Sequence, residues 1–228
     1  MGNQFKETFG SWVQAIGTVL SAIANTPTLV PEEETATNLD VVGNVLQGTG
    51  NAVIADGEEA FTLDQIGSAI QAIGNSTVIT GLIGDFSDET KQILVIDGNF
   101  IQALGGGVSA ADITENSPAE GINIVGNILQ AVGNSLQALA GIIDLKSGDQ
   151  DLSAGQGYGN QGNASLGGQG YGSLGYGDEG NGNNGNSEGQ LDSQSIQVLG
   201  SWIQAIGAIL TLIAQLISNE SGESGSES

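Results

Sequence analysis

Gly126-Asn-Ile-Leu-Gln-Ala-Val-Gly133-Asn-Ser-Leu-Gln-Ala-Leu-Ala140 states a seven-residue unit and repeats it at once. The unit, Gly-[Asn/Ser]-x-φ-Gln-x-x-Gly with φ apolar, is also found at Gly10-Ser-Trp-Val-Gln-Ala-Ile-Gly17 and Gly43-Asn-Val-Leu-Gln-Gly-Thr-Gly50. It recurs at Gly67-Ser-Ala-Ile-Gln-Ala-Ile-Gly74, Gly98-Asn-Phe-Ile-Gln-Ala-Leu-Gly105 and Gly200-Ser-Trp-Ile-Gln-Ala-Ile-Gly207. A helix turns about 100° per residue, so a seven-residue step falls about 20° short of two turns. With glycine as position a, the a positions stack along one side and c, d and g form an apolar arc. In the last copy that arc is Trp202, Ile203, Ile206, Ile209, Leu210 and Ile213. Apolar residues at i, i+1, i+4 and i+7 fit a helix and fail strand alternation.

A glycine costs a helix about 1 kcal/mol relative to alanine. Two per helix call for an offset, and close approach of a second backbone supplies one. Ala24, Ala140 and Ala214 take the next a position in three copies and keep the seam small. The residues expected to form the seam of an assembly are Gly10, Gly17, Gly126, Gly133, Gly200 and Gly207, with Trp12 and Trp202 as apolar anchors.

The spacing predicts helices near 4–25, 38–55, 62–83, 88–104 and 118–145, then a sixth over 193–218. Asn38 or Asp40 is the expected cap of the second. The β-branched run Asn75-Ser-Thr-Val-Ile-Thr80 is expected to fray or turn extended, and Gly105-Gly-Gly107 to stop the fourth helix. Ser117-Pro118-Ala-Glu120 carries a serine cap, proline at the first helical position and glutamate at the third. The expected fold is all-α: a helical repeat or bundle of about six helices with glycine-zipper-like seams and a low-complexity insertion. Residues 1–147 form a five-helix repeat region, and 148–192 a Gly/Asn/Tyr-rich segment with a recurring Tyr-Gly theme. A C-terminal helix over 193–218 packs on the repeat region, and 219–228 is an acidic tail.

Composition removes whole classes of chemistry. The chain has 228 residues, 38 glycines, no cysteine and no histidine; its only cations are Lys6, Lys91 and Lys146, against 26 acids. Disulfides, thiolate metal sites and thiol nucleophiles are excluded. A net charge of −23 opposes binding to nucleic acid, whose affinity for proteins rests on cations. Carboxylates alone could support glycoside chemistry, but these lie in flexible connectors. No glycine run is followed by the lysine of a phosphate-binding loop. No enzyme activity, cofactor or specific metal site is expected. Asp56-Gly-Glu-Glu59 and Asp85-Phe-Ser-Asp-Glu89 could at most hold a divalent cation weakly, because neither has the spacing of a calcium loop.

Charge is absent from Gly10 to Asn25, Gly121 to Ile143 and Ser193 to Asn219. An ordinary surface helix would carry Lys and Glu there. These place glutamine at e (Gln14, Gln47, Gln71, Gln102, Gln130, Gln137 and Gln204) and mostly Asn or Ser at b. Uncharged amides beside small residues suit packed faces with amides bonded across helices. Two buried faces, one inside the subunit and one between subunits, give the expected role: a self-assembling homo-oligomer forming a filament, sheet or shell. The rival is a membrane-associated or pore-like assembly. Gly200 to Ser218 runs without charge for close to the ~20 residues a span needs, yet Gln204, Thr211 and Gln215 interrupt it and no Lys or Arg flanks it.

The opening FGSWVQAIGTVLSAIA has the look of an export signal, with Ala22-Ile-Ala24 as a cleavage site. It lacks a basic start and is restated as GSWIQAIGAILTLIA at the far end, which makes it a structural repeat. A cytoplasmic or spore-associated location is therefore expected. Phe9-Gly-Ser-Trp-Val-Gln-Ala-Ile-Gly17 and Gly200-Ser-Trp-Ile-Gln-Ala-Ile-Gly207 resemble an uncharacterised family of repetitive proteins of spore-forming Gram-positive bacteria. The resemblance covers the helical repeats, leaves out the Tyr-Gly tract, and implies repeat architecture but no activity.

Overall fold

The computed structural model describes residues 2–57, 61–112, 117–154 and 192–225. Most of the Tyr-Gly tract, and the end of the acidic tail, lie outside the described residues. The described residues form six helices: α1 (Gly2–Ala24), α2 (Glu33–Gly57), α3 (Leu63–Ile83), α4 (Asp88–Ala110), α5 (Pro118–Ala154) and α6 (Ser193–Gly225). No strand is present among them. The fold is all-α, as the seven-residue spacing predicts.

Each helix packs against the two that neighbour it in the chain, and α1 meets α6 to close a ring. The closest pairs are α1–α2, α3–α4 and α5–α6, so the ring is three antiparallel hairpins side by side. Glycines set these pairings. A Cβ built on Gly10 would lie 2.7 Å from the carbonyl oxygen of Gly50, and one on Gly17 would lie 2.6 Å from that of Gly43. The second hairpin repeats the arrangement, with Gly67 2.5 Å from Gly105 O and Gly74 2.8 Å from Gly98 O. In the third, Gly126 meets Gly207 O at 2.8 Å and Gly133 meets Gly200 O at 2.5 Å. No larger residue fits between these backbones. The helix propensity forgone at each glycine is repaid by contact along the whole hairpin.

Local signals start the helices where side chains can cap them. Thr62 Oγ1 accepts from Gln65 N at 3.0 Å, Ser87 Oγ from Thr90 N at 3.3 Å and Ser117 Oγ from Glu120 N at 3.2 Å. Asp192 caps α6 by accepting from Ser195 N at 2.6 Å. That backbone bond, with the Ser195 hydroxyl, holds the Asp192 carboxyl below its ordinary range.

α5 and α6 run past their expected ends at 145 and 218, to Ala154 and Gly225, and three further local expectations are corrected. α2 begins at Glu33, with Glu33 and Glu34 in its first turn, so neither Asn38 nor Asp40 caps it. Acids there complement the helix dipole. Asn75 to Thr80 stays helical: Val78 is buried against Gly98, and the Thr77 and Thr80 hydroxyls donate to the carbonyls of Ile73 and Ser76. Gly105-Gly-Gly107 does not stop α4, which runs on to Ala110. Gly105 sits in the seam with Gly67, and a Cβ on Gly106 would lie 3.1 Å from Asn127 O, so packing holds the helix through the run. Of these three, Gly107 alone faces open space. Gly107→Ala should therefore stabilise the chain by up to about 1 kcal/mol, read as a raised midpoint in denaturant; a lowered midpoint would mean that this turn is not helical.

Candidate functional site

The seams fix what lies inside the ring. With Gly10 facing Gly50 and Gly17 facing Gly43, Gln14 and Gln47 fall at one level, and both point to the axis. The other hairpins place Gln71 with Gln102 and Gln130 with Gln204 at that same level. All six are at most 4% exposed. Gln14 Nε2 donates to Gln130 Oε1 at 2.8 Å, and Gln204 Nε2 donates to Gln47 Oε1 at 2.7 Å and Gln102 Oε1 at 3.3 Å. Gln137, nearly two turns along from Gln130, donates to Gln204 Oε1 at 2.8 Å. The result is an amide layer across the ring.

Polar layers flank it. The b positions Ser11, Asn44, Ser68, Asn99, Asn127 and Ser201 are all buried, as are Thr18, Asn51, Asn75 and Asn134. The largest fully buried side chains are amides and hydroxyls. Buried apolar residues are mostly alanines, with Val78, Ile96, Ile196 and Leu212 the larger ones among the described residues. Several interior atoms have no hydrogen-bond partner: Asn51 Oδ1, Asn75 Oδ1, Gln130 Nε2 and both amide atoms of Asn134. An unmade bond of this kind costs about 1–3 kcal/mol, so the interior is far from an ordinary core.

The large apolar side chains point outward on every helix. Phe9, Trp12 and Ile16 do so on α1, Val42 and Val45 on α2, and Ile73 on α3. Phe100 and Leu104 on α4, Ile128 and Val132 on α5, and Ile206, Ile209 and Ile213 on α6 complete the belt. Charge gathers at the two ends. One end carries Glu7, Asp64, Asp112 and Glu120, with the Lys6–Asp56 ion pair at 2.7 Å. The other carries Glu33, Asp40, Asp88, Lys91 and Asp144. Asp97 is an exposed acid within α4, about two turns in from that second end.

The predicted contact residues divide between these surfaces. Gly10, Gly17, Gly126, Gly133, Gly200 and Gly207 lie in seams within the chain. Trp12 and Trp202 stand on the outer belt, 49% and 36% exposed, with Trp202 Nε1 donating to Thr26 Oγ1 at 3.0 Å across the α1–α6 closure. The expectation of amides bonded across helices describes the axis; what the periodicity did not reveal is that the arc of c, d and g faces out. Among the described residues no group of three or more acids is placed to hold a metal ion.

Cavities open at both ends of the ring. One of about 320 Å³ opens at the α1–α2 turn end, and all six helices contribute to its lining. At the opposite end Asp64, Asp112, Asn123 and Gln215 line a second of about 250 Å³. Beneath it a smaller one of about 40 Å³, sharing Asp64, Asn123 and Gln215, reaches Gln14 and Gln71 of the amide layer.

A family model matches residues 5–166: that of a family of unknown function (DUF6944). No curated protein matches the chain, and no solved structure does.

Proposed function

We propose that this chain, which belongs to the DUF6944 family, is a membrane-embedded six-helix barrel, its apolar belt against lipid and its charged ends in water. The observation that carries the reading is the reversal of inside and outside. Large apolar side chains face outward on all six helices while the axis is filled with amides and hydroxyls. Burying one such side chain is worth about 1.5–3 kcal/mol, so a belt left in water forfeits much of what folding could gain. Exposed apolar surface of this extent marks a partner or a membrane. A belt that encircles the molecule suits a solvent more than a single docking partner.

Dimensions agree. Helices α1 to α4 have 21 to 25 residues, or about 32–38 Å, against a hydrocarbon core of about 30 Å. α3, α4, α5 and α6 contain stretches long and apolar enough to cross a membrane. Helices satisfy their own backbone hydrogen bonds, as lipid demands, and close glycine seams are a packing mode suited to it. The role is structural or conductive rather than catalytic.

Self-association is the second way to cover the belt, and one observation favours it. The helix ends carry acids with few cations, so the usual Lys and Arg anchors of an inserted helix are missing. In that reading copies pack belt to belt into a filament, sheet or shell.

Synthesis of the full chain in a cell-free system, with and without phosphatidylcholine–phosphatidylglycerol vesicles, separates the two. The membrane reading expects the chain to float with vesicles, resist alkaline extraction and need detergent without them. Purification without detergent as large homo-oligomers that ignore vesicles would overturn it and leave self-assembly. Asp97 supplies a graded check. An acid facing lipid costs up to about 2.5–3.5 kcal/mol at mid-depth, so Asp97→Leu should raise the floated fraction. An unchanged or lower fraction would mean that this part of α4 does not meet lipid.

A further inference from the structure

We propose that the axis of the ring is a path for small monovalent cations, closed in this structure by the six-glutamine layer. The inference rests on the membrane reading and goes beyond it by naming what passes and what blocks it.

The cavities open at the two ends of the ring, and the amide layer stands between their linings. From one end the 250 Å³ cavity leads to the 40 Å³ one, which stops at Gln14 and Gln71. From the other the 320 Å³ cavity stops at Gln137, which is bonded to Gln204 of the same layer. Both mouths are acidic: Asp64 and Asp112 line one, Asp40 and Asp144 the other. Of the three lysines, Lys91 lines a mouth and Lys6 is paired with Asp56. Carboxylates at a mouth favour cations over anions.

The lining between the mouths is rich in oxygen and carries no cation; Glu7 and Asp64 are its acids in the small cavity. Ser11, Ser68, Asn51 and Asn127 line the small cavity. Asn51 is 2% exposed, and its Oδ1 accepts no hydrogen bond. Further in, the Oδ1 atoms of Asn75 and Asn134 are equally unpartnered. Carbonyl-type oxygens that lack donors are suited to take the place of a cation's hydration shell. The block is made of flexible side chains bonded to each other. Gln14 to Gln130 and Gln204 to Gln47 and Gln102 cross the axis, so rotation of a few glutamines opens it without moving a helix.

The test uses the full chain in vesicles, with flotation measured on the same sample. In planar bilayers under a potassium chloride gradient, the wild type should pass little current. Gln14→Ala and Gln130→Ala together should raise potassium conductance at least about tenfold, with a reversal potential on the cation side. Asp112→Asn with Asp144→Asn, added to that background, should shift the reversal potential toward zero. The absence of cysteine allows a second readout in the otherwise unaltered layer. Ser68→Cys, a near-isosteric change facing the small cavity, should react faster with a small cationic methanethiosulfonate reagent than with an anionic one of similar size. Chain that floats with vesicles but shows neither added conductance nor cationic preference overturns the path and leaves the barrel standing. Anion-selective current overturns it too. Chain that does not float removes both readings.

Discussion

Gly133→Ala is expected to destabilise the fold, although alanine is the better helix former. The added Cβ would lie 2.5 Å from Gly200 O and 2.6 Å from Gln204 N, both backbone atoms, and 2.8 Å from the Cβ of Gln204. None of these is the free end of a flexible side chain. α5 and α6 must separate, and the Gln137–Gln204 bond at 2.8 Å lies just beyond the contact. Overpacking costs about 1–3 kcal/mol and outweighs the gain of up to about 1 kcal/mol in propensity. The net loss should be up to about 2 kcal/mol, and Gly133→Leu should part the hairpin altogether. These distances leave no room for a methyl in the seam. Unfolding followed by circular dichroism measures the effect, with Gly107→Ala as the control of opposite sign. An alanine at 133 that stabilises as the control does would mean that the α5–α6 seam is looser than described.

Gln204→Leu should be the most damaging change on the axis, and Ile206→Gln, two residues away, less damaging to the fold. Gln204 is 4% exposed and holds three partners: it donates to Gln47 and Gln102 and accepts from Gln137. Leucine has similar volume but leaves those amides without their partner in a buried place, at about 1–3 kcal/mol for each group that finds no other. Ile206 is 51% exposed on the outer belt, so a glutamine there gives up apolar contact but leaves no buried partner unpaired. A conventional soluble helix would give the reverse order, with leucine welcomed and a polar residue at the isoleucine punished. Denaturant midpoints of the two variants, taken in the same detergent or buffer, read the order directly. Ile206→Gln costing more than Gln204→Leu would mean that α6 is turned the other way.

The helices were legible because the seven-residue unit leaves glycine, Asn or Ser, and Gln on one side and apolar residues on the other. Which side faces inward was harder to read, since periodicity separates two faces without giving a sign. The deciding clue is size. Gly10 and Gly17 allow backbone contact only on their own side of α1, and Gln14, between them in the chain, is then carried to the axis. Trp12 and Ile16 are left on the outside for the same reason. The misread stretches are those where tertiary contact overrides local preference: Gly105 and Gly106 stay helical because α3 and α5 pack on them, and Val78 because it fills the space above Gly98. The cavities were not legible, because they depend on how three hairpins close into a ring. The α1–α6 contact, with Gln197 Nε2 donating to Asn25 Oδ1 at 3.1 Å and Asn219 Nδ2 to Thr8 Oγ1 at 2.7 Å, joins residues that no local pattern links.

The two tryptophans test the central claim most directly, because the chain has no others and both stand on the belt. Full chain would be assembled into vesicles whose acyl chains carry bromine at a known depth, and tryptophan emission followed. Outward-facing Trp12 and Trp202 amid lipid predict strong quenching by the brominated chains and weak quenching by aqueous iodide. Quenching by iodide with none by the brominated lipid would contradict the account.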